Sequence, residues 1–349
     1  MRRCAALVAA PLLRTRAPAR AAQSAAAFSS STASGGLQVL VTPLDGDLEG
    51  VSALTLRRPQ ARNALGKQMV RELSEALDTL RQEPTTRCVV VRSSVVGVFS
   101  SGADLKERAT MTQRETVEFV CLLRRTFDEL AHLPMPTIAA VDGLALGGGL
   151  ELALACDVRV AAAGRAAFAA PEARLGVIPG AGGTQRLPRV VGLSRAKELI
   201  FTCRRVGGAE AGMIGLVDHV VADDDEEEGG EGGEGAGKAA AAATESGGGS
   251  EAAGRSSSSH PDHPHHHHHH FSRGFPAYRR ALEIARDIAR AAPLALRAAK
   301  AAAGQGSEVD LHSGLRLEEA LYARLVPTRD RLEGLRAFAE RRAPRFEGE

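Results

Sequence analysis

Several features that would assign this 349-residue chain at once to a class are missing from it. No uninterrupted apolar run reaches the roughly 18 residues that argue a membrane span. The best candidate, 138–155, is broken by Asp142 and Glu151. The five cysteines, Cys4, Cys88, Cys121, Cys156 and Cys203, contain no CxxC pair, and those beyond the leader read as small apolar core residues in a reducing compartment. No G-x-S-x-G elbow occurs, so the hydrolase nucleophile built on it is absent. Gly180-Ala-Gly182-Gly183-Thr-Gln185 lacks the third spaced glycine of a dinucleotide-binding turn and follows no clear strand. Gly232-x4-Gly237-Lys238 has Ala239 where a phosphate loop needs a hydroxyl for magnesium. A strong charge of one sign is also lacking: the formal net charge of +2 gives little reason to expect nucleic acid as a partner.

Acidic residues are missing from the start of the chain, the first being Asp45. Residues 1–34 carry Arg2, Arg3, Arg14, Arg16 and Arg20, many alanines and the cluster Ser29, Ser30 and Ser31. Arginine-rich, serine-rich and acid-free is the composition of an organelle transit peptide, which predicts a mitochondrial matrix address. A second anomaly spans 223–274, where an acidic run passes into a Gly/Ala/Ser tract and then into His260, His263 and His265 to His270. Nothing there is periodic and apolar, so it reads as a disordered insertion outside the fold. Eight of the eleven histidines sit in this one low-complexity tract, which points to repeat expansion and not to a metal site. His132, His219 and His312 have no partner at ligand spacing, and no metal is expected.

What remains, at 44% hydrophobic and 25% charged for the whole chain, reads as globular. The patterning predicts strands at 51–56, 88–92, 137–141, 157–161 and 216–221. An amphipathic helix is predicted at 65–81, with Met69, Leu73, Leu77 and Leu80 on one face, and a short helix at 148–155. Beyond 221 only helices are expected, at 276–292, 293–303, 309–325 and 328–341. The result is an α/β core, 37–222, followed by a helical C-terminal region, 275–349, of the kind that packs on a neighbouring subunit or covers a site.

Three segments carry candidate chemistry. Phe99-Ser-Ser-Gly102-Ala103-Asp104-Leu105-Lys106-Glu107 leaves the 88–92 strand with a glycine and a small residue, which lets backbone N–H groups face a ligand. Asp104 is placed to cap the helix after it. Gly147-Gly148-Gly149 enters a helix, where unpaired N–H groups at its positive end suit a developing oxyanion, with Glu151 in the first turn. The same glycines also permit close packing, and a first-turn carboxylate also complements the helix dipole. Ala170 to Arg189 is a Gly/Pro-rich loop before a helix near Thr184, and Glu172 in its apolar surroundings is a candidate general acid with a raised pKa.

Taken in order, Ser-Gly-Ala-Asp-Leu-Lys-Glu, Gly-Leu-Ala-Leu-Gly-Gly-Gly-Leu-Glu and Ile-Pro-Gly-Ala-Gly-Gly-Thr-Gln-Arg-Leu-Pro-Arg resemble the enoyl-CoA hydratase (crotonase) family. The likeness covers about 37–221 and 277–349, and Pro327 to Leu335 with Phe338 to Phe346 narrows it to a mitochondrial branch. It implies a spiral of ββα units and a homotrimer or dimer of trimers. It also implies a 2-enoyl-CoA substrate hydrated to a 3-hydroxyacyl-CoA, with coenzyme A as part of the substrate and no cofactor. The N–H groups of Ala103 and Gly148 would form the oxyanion hole, Glu151 would activate water for attack at C3, and Glu172 would deliver a proton to C2. Arg58, Ala61, Ala103, Asp104, Leu105, Lys106 and Gly148 would line the substrate, with Phe338 and Arg341, from this or a neighbouring subunit, closing over it. Between Cys156 and Glu172 the chain is one residue longer than the family's usual spacing, and Ala169 replaces a common glycine; Glu172 keeps its place if the turn around Gly164 absorbs the extra residue. Isomerisation, decarboxylation and a silent scaffold are the alternatives. RNA binding, known from one branch, relies there on lysines, and 81–92 has none.

Overall fold

The computed structural model describes residues 36–223 and 274–349. The expected leader, the interior of the expected insertion, its histidine run and the phosphate-loop look-alike lie outside the described residues. In chain order the elements are β1 (Val39–Pro43), β2 (Val51–Leu56), α1 (Lys67–Gln82), β3 (Cys88–Ser93), β4 (Gly97–Ser100), α2 (Leu105–Ala109) and α3 (Gln113–Ala131). Next come β5 (Thr137–Val141), β6 (Gly143–Leu146), α4 (Gly148–Leu154), β7 (Val158–Ala162), β8 (Ala167–Ala169), α5 (Gly183–Val191), α6 (Leu193–Thr202), β9 (Val206–Gly207), α7 (Gly208–Met213) and β10 (His219–Val221). Four helices follow: α8 (Pro276–Ala289), α9 (Pro293–Gly306), α10 (Leu311–Leu325) and α11 (Arg329–Glu340).

The strands form two sheets, ordered β1-β2-β3-β5-β7-β10 and β4-β6-β8-β9. Three times in succession the chain gives one strand to the first sheet, one to the second, and then a helix: β3-β4-α2, β5-β6-α4 and β7-β8-α5. This is the ββα spiral of the expected α/β class. Within the first sheet β2, β3, β5, β7 and β10 run parallel, and β1 adds an antiparallel edge.

Alternation along each strand feeds two separate cores. Val89, Val91, Ala139 and Val141 face the layer holding Met69, Leu73, Leu77 and Leu80 of α1 with Phe127 and Leu130 of α3. Cys88, Val90, Ile138 and Ala140 face α8, whose Ala277, Ala281, Ala285 and Ala289 recur every fourth residue. Both faces of β3 and β5 are therefore buried, which is why Cys88 to Val91 and Ile138 to Val141 are continuous apolar runs. The alanine stripe lets α8 lie close against the sheet. Its N-terminus is fixed by Asp142, whose carboxylate accepts the N–H groups of Ala277 at 2.7 Å and Tyr278 at 3.2 Å. Buried Arg92 stacks on the Tyr278 ring, 3.9 Å from its centroid.

Three sequence expectations need correction. The 216–221 strand is confined to His219–Val221, because Leu216 and Val217 turn into the core beside Ala211. The strand expected at 157–161 begins one residue later, since the Asp157 carboxylate is drawn to the N–H and hydroxyl of Thr137. The 276–292 helix stops at Ala289, before Pro293 opens the next. The patterning itself predicted neither helix α3 nor the short strands β4, β6, β8 and β9 of the second sheet. The last two helices expose apolar side chains: Leu311, Leu315, Tyr322, Leu332, Leu335 and Phe338 all face outward.

Candidate active site

The site forms where the exits of β4 and β6 meet. Gly102 has φ +86°, and a methyl there would lie 2.5 Å from the Leu146 carbonyl oxygen, so glycine alone permits the approach. The Leu65 N–H donates to Gly102 O at 2.8 Å and the Asp104 N–H to Leu65 O at 3.2 Å, which pins the loop on both sides of Ala103. The Ala103 N–H itself donates to no other described residue. Gly147, at φ +51°, donates to Ala169 O at 2.8 Å and turns the chain into α4, leaving Gly148 as the first helical residue, whose N–H has no intrahelical acceptor. The two amides are neighbours, since a methyl on Gly148 would sit 3.9 Å from Ala103 N and one on Gly102 would sit 3.4 Å from Gly148 N.

Glu151, one turn into α4, is 4% exposed. Its Oε1 accepts the N–H groups of Ala181 and Gly183, both at 2.8 Å. A methyl at Gly183 would be 2.9 Å from that oxygen, so the glycine run before α5 is what brings two donors onto the carboxylate. Burial pushes the Glu151 pKa up, against the pull of those two N–H groups and of Arg186 and Arg124. Glu172 lies in the short turn Pro171–Leu175 with its Oε1 against Gly147. Its Oε2 is buried without a hydrogen-bond partner. Burial raises its pKa to about 7; its own N–H opposes the rise, the Glu151 charge adds to it, and Arg108 opposes it. Between β7 and β8, upstream of Glu172, the Gly164 N–H donates to Asp223 Oδ2 at 2.8 Å.

Asp104 caps α2 by accepting the N–H groups of Lys106 and Glu107, each at 3.1 Å. Burial alone would raise its pKa, but the Glu107 N–H and the Arg58 guanidinium, with the Lys106 N–H, hold it below the usual carboxylate range. Arg58 is engaged within the chain: Nη1 reaches Asp104 Oδ2 and Ala64 O, both at 2.8 Å, and Nη2 lies 3.7 Å from Glu107. In the structure it is a strut that fixes the loop between Ala61 and Lys106. Ala61 takes part through its carbonyl, which accepts the Ala64 N–H at 2.9 Å, while Leu105 and Lys106 are exposed on α2. Phe338 is 87% exposed and Arg341 is exposed at the end of α11; the chain brings neither into hydrogen-bond or ion-pair contact with the Ala103 loop. Sequence reading missed three arginines around the glutamates, Arg108, Arg124 and Arg186. Arg108 was findable, since it follows the capping Asp104 by one helical turn. A cavity of about 1170 Å³ between α3, α5 and α9 is lined by Arg124 and Arg186 but by neither glutamate.

Among the described residues no cluster of three or more His, Cys, Asp or Glu is arranged to hold a metal, and no helix is long and apolar enough to cross a membrane. Residues 47–229 match the family model described as enoyl-CoA hydratase/isomerase. The chain is 43% identical over 312 residues to human methylglutaconyl-CoA hydratase, mitochondrial, covering 89% of this chain and 78% of that protein. It is 44% identical over 337 residues to human enoyl-CoA hydratase domain-containing protein 2, mitochondrial, covering 97% and 98%. The crystal structure of an enoyl-CoA hydratase from Bacillus anthracis superposes with a TM-score of 0.72 at 37% identity, over 89% of this chain and all of that one. With its two-sheet ββα spiral and its paired glutamates beside two neighbouring amides, the chain belongs to the enoyl-CoA hydratase/isomerase family.

Proposed function

We propose that this hydratase-type lyase adds water to a 2-enoyl-CoA, giving the 3-hydroxyacyl-CoA by syn addition, in the mitochondrial matrix; its two human relatives are named as mitochondrial. The observation that carries the reading is the unequal treatment of two glutamates beside one pair of amides. Glu151 holds two backbone donors on one oxygen, which oppose the rise that burial gives its pKa, whereas Glu172 has a pKa of about 7 and an oxygen without a donor. The first suits a base that takes a proton from water, and the second an acid that supplies one near neutral pH.

In the proposed reaction the thioester carbonyl accepts the N–H groups of Ala103 and Gly148, which stabilise the enolate oxygen as charge moves onto it. Water attacks C3 as Glu151 takes its proton, and Glu172 delivers a proton to C2. Acid, base and oxyanion donors all come from the protein, so the reaction as proposed uses no cofactor; coenzyme A enters with the substrate. The outward apolar residues of α10 and α11 support a homo-oligomer, and in a trimer or dimer of trimers Phe338 and Arg341 would close over a neighbour's site. The test is loss of conjugated-thioester absorbance when the purified protein meets a panel of straight and branched 2-enoyl-CoAs. Normal turnover by a Glu151→Gln, Glu172→Gln double variant would refute the mechanism, and binding without turnover across the panel would favour a silent scaffold.

A further inference from the structure

Helix α3 presents Val120, Arg124 and Asp128, each one turn from the last, to the loop that holds Glu151. A methyl on Gly180 would lie 2.8 Å from Val120 Cγ1, so glycine lets this peptide rest against the helix. The Arg124 Nε–H donates to Gly180 O at 2.9 Å. Asp128 Oδ1 accepts Arg186 Nη2 at 3.3 Å, and Arg186 Nη1 donates to Ala181 O at 3.1 Å. Residues spaced by four share one side of a helix, so a single face of α3 steadies two successive carbonyls of the loop.

Gly180 O and the Ala181 N–H belong to the same peptide group. Its oxygen accepts from Arg124 on one side, and its N–H donates to Glu151 Oε1 at 2.8 Å on the other. A cationic donor on the oxygen polarises the peptide, makes its N–H a stronger donor and fixes the plane in which that N–H points. The second donor to Glu151, the Gly183 N–H, is backed differently, because the oxygen of its peptide, Gly182 O, accepts the backbone N–H groups of Gln185 and Arg186. The two guanidinium groups also differ. The charge of Arg186 is set against Asp128 at 3.3 Å, whereas no carboxylate among the described residues pairs with Arg124. An uncompensated positive charge therefore stands one peptide away from the buried carboxylate.

We infer that Arg124 is a positioning residue for the base: through the Gly180–Ala181 peptide it aims and strengthens one hydrogen bond to Glu151, without touching the substrate. The inference rests on the proposed hydration for the role of Glu151, and its test separates the two. Burial raises the Glu151 pKa, and Arg124 is among the groups that oppose the rise. In Arg124→Met the acid-side limb of the kcat profile therefore moves to higher pH. At its plateau kcat falls about tenfold, less than the roughly 10² to 10³ for a donor that meets the reacting atoms, and KM is unchanged. Arg124→Lys returns a cationic donor and restores much of both. Arg114→Met, on the same helix but paired with Glu118 away from the loop, leaves the profile as it was. A limb in Arg124→Met that coincides with the parent's, whatever the loss of kcat, would overturn the assignment.

A second comparison needs no turnover. Because the Glu151 pKa is raised in the folded chain, stability is lost as the pH climbs above the unfolded value, and removal of Arg124 enlarges that loss. Urea unfolding at pH 5 and pH 8, at fixed protein concentration, should show Arg124→Met losing more than the parent, and the extra loss should vanish when both chains carry Glu151→Gln. That result supports the assignment even if no enoyl-CoA is hydrated, an outcome that would sink the hydration alone. No extra loss, or one of equal size with glutamine at 151, overturns it.

Discussion

Replacing Glu172 with glutamine tests the reading of the acid without any knowledge of the substrate. The Glu172 pKa stands at about 7 in the folded chain against an ordinary 4.5, chiefly because burial disfavours its charge. Below pH 4.5 the carboxyl is protonated in both folded and unfolded chains and the perturbation has no effect. As the pH rises through the interval up to 7 the unfolded chain ionises first, so stability is lost across that window. By pH 8 the buried carboxylate costs about 3 kcal/mol, and at pH 5 less than about 1 kcal/mol, at about 1.4 kcal/mol for each pKa unit. Glutamine removes this dependence. Whatever its amide costs in the same pocket is independent of pH and cancels when two pH values are compared. Urea unfolding at fixed protein concentration should therefore show the Glu172→Gln variant gaining about 2 kcal/mol on the parent between pH 5 and pH 8. An unchanged difference between the two proteins, or a gain of the opposite sign, would show that Glu172 is not held in a charge-disfavouring place and would remove it as an acid poised near neutrality.

Glu151→Gln keeps an oxygen for the Ala181 and Gly183 N–H groups, so the fold should persist while hydration of an enoyl-CoA drops by about 10² to 10⁴; absorbance of the conjugated thioester reports the drop beside an unaltered circular dichroism spectrum. Gly143→Ala would drive a methyl into the Gly97 carbonyl between β4 and β6, where only backbone can give way. A loss of more than about 3 kcal/mol, seen as a lowered Tm, is the expected result. Excision of 224–273 with a short Gly/Ser join should leave stability within about 1 kcal/mol, because both ends are tied to one turn. Arg165 Nε lies 3.7 Å from Asp223 Oδ1, and its Nη1 donates to Gly274 O at 3.4 Å. Parallel unfolding curves of the full and shortened chains decide it.

How far the fold was legible depended on how each element is buried. β3 and β5 could be read as strands because layers on both sides make Cys88 to Val91 and Ile138 to Val141 continuous apolar runs, and α1 because one face alone is buried. β4, β6 and β8 are three or four residues long and built largely from glycine, alanine and serine. Such segments have no periodicity to detect, and they become strands only because Gly143 lets β6 press against β4. Helix α3 is another matter. Its capping box, Thr112 with Glu115, and its buried Phe119, Leu123, Phe127 and Leu130 were present as signals, yet its exposed Val117 and Leu122 blur the apolar stripe.

For the site, the sequence motifs mark where backbone must approach backbone, and they say less about which charges are satisfied. The glycines at 102, 147 and 183 could be recognised because side chains there would meet Leu146 O, Glu172 and Glu151 respectively. The difference between the two glutamates could not, since it depends on donors thirty and more residues away for Glu151 and on the lack of any donor for Glu172 Oε2. The arginines show the same limit from the other side. Arg58 lies in a segment expected to hold substrate, and its guanidinium is tied through Nη1 to Asp104 and Ala64, yet its Nε, like that of Arg108, which carried no expectation, is buried without a partner. A charged residue's type can be read along the chain, but its availability is decided by partners that only the fold assembles.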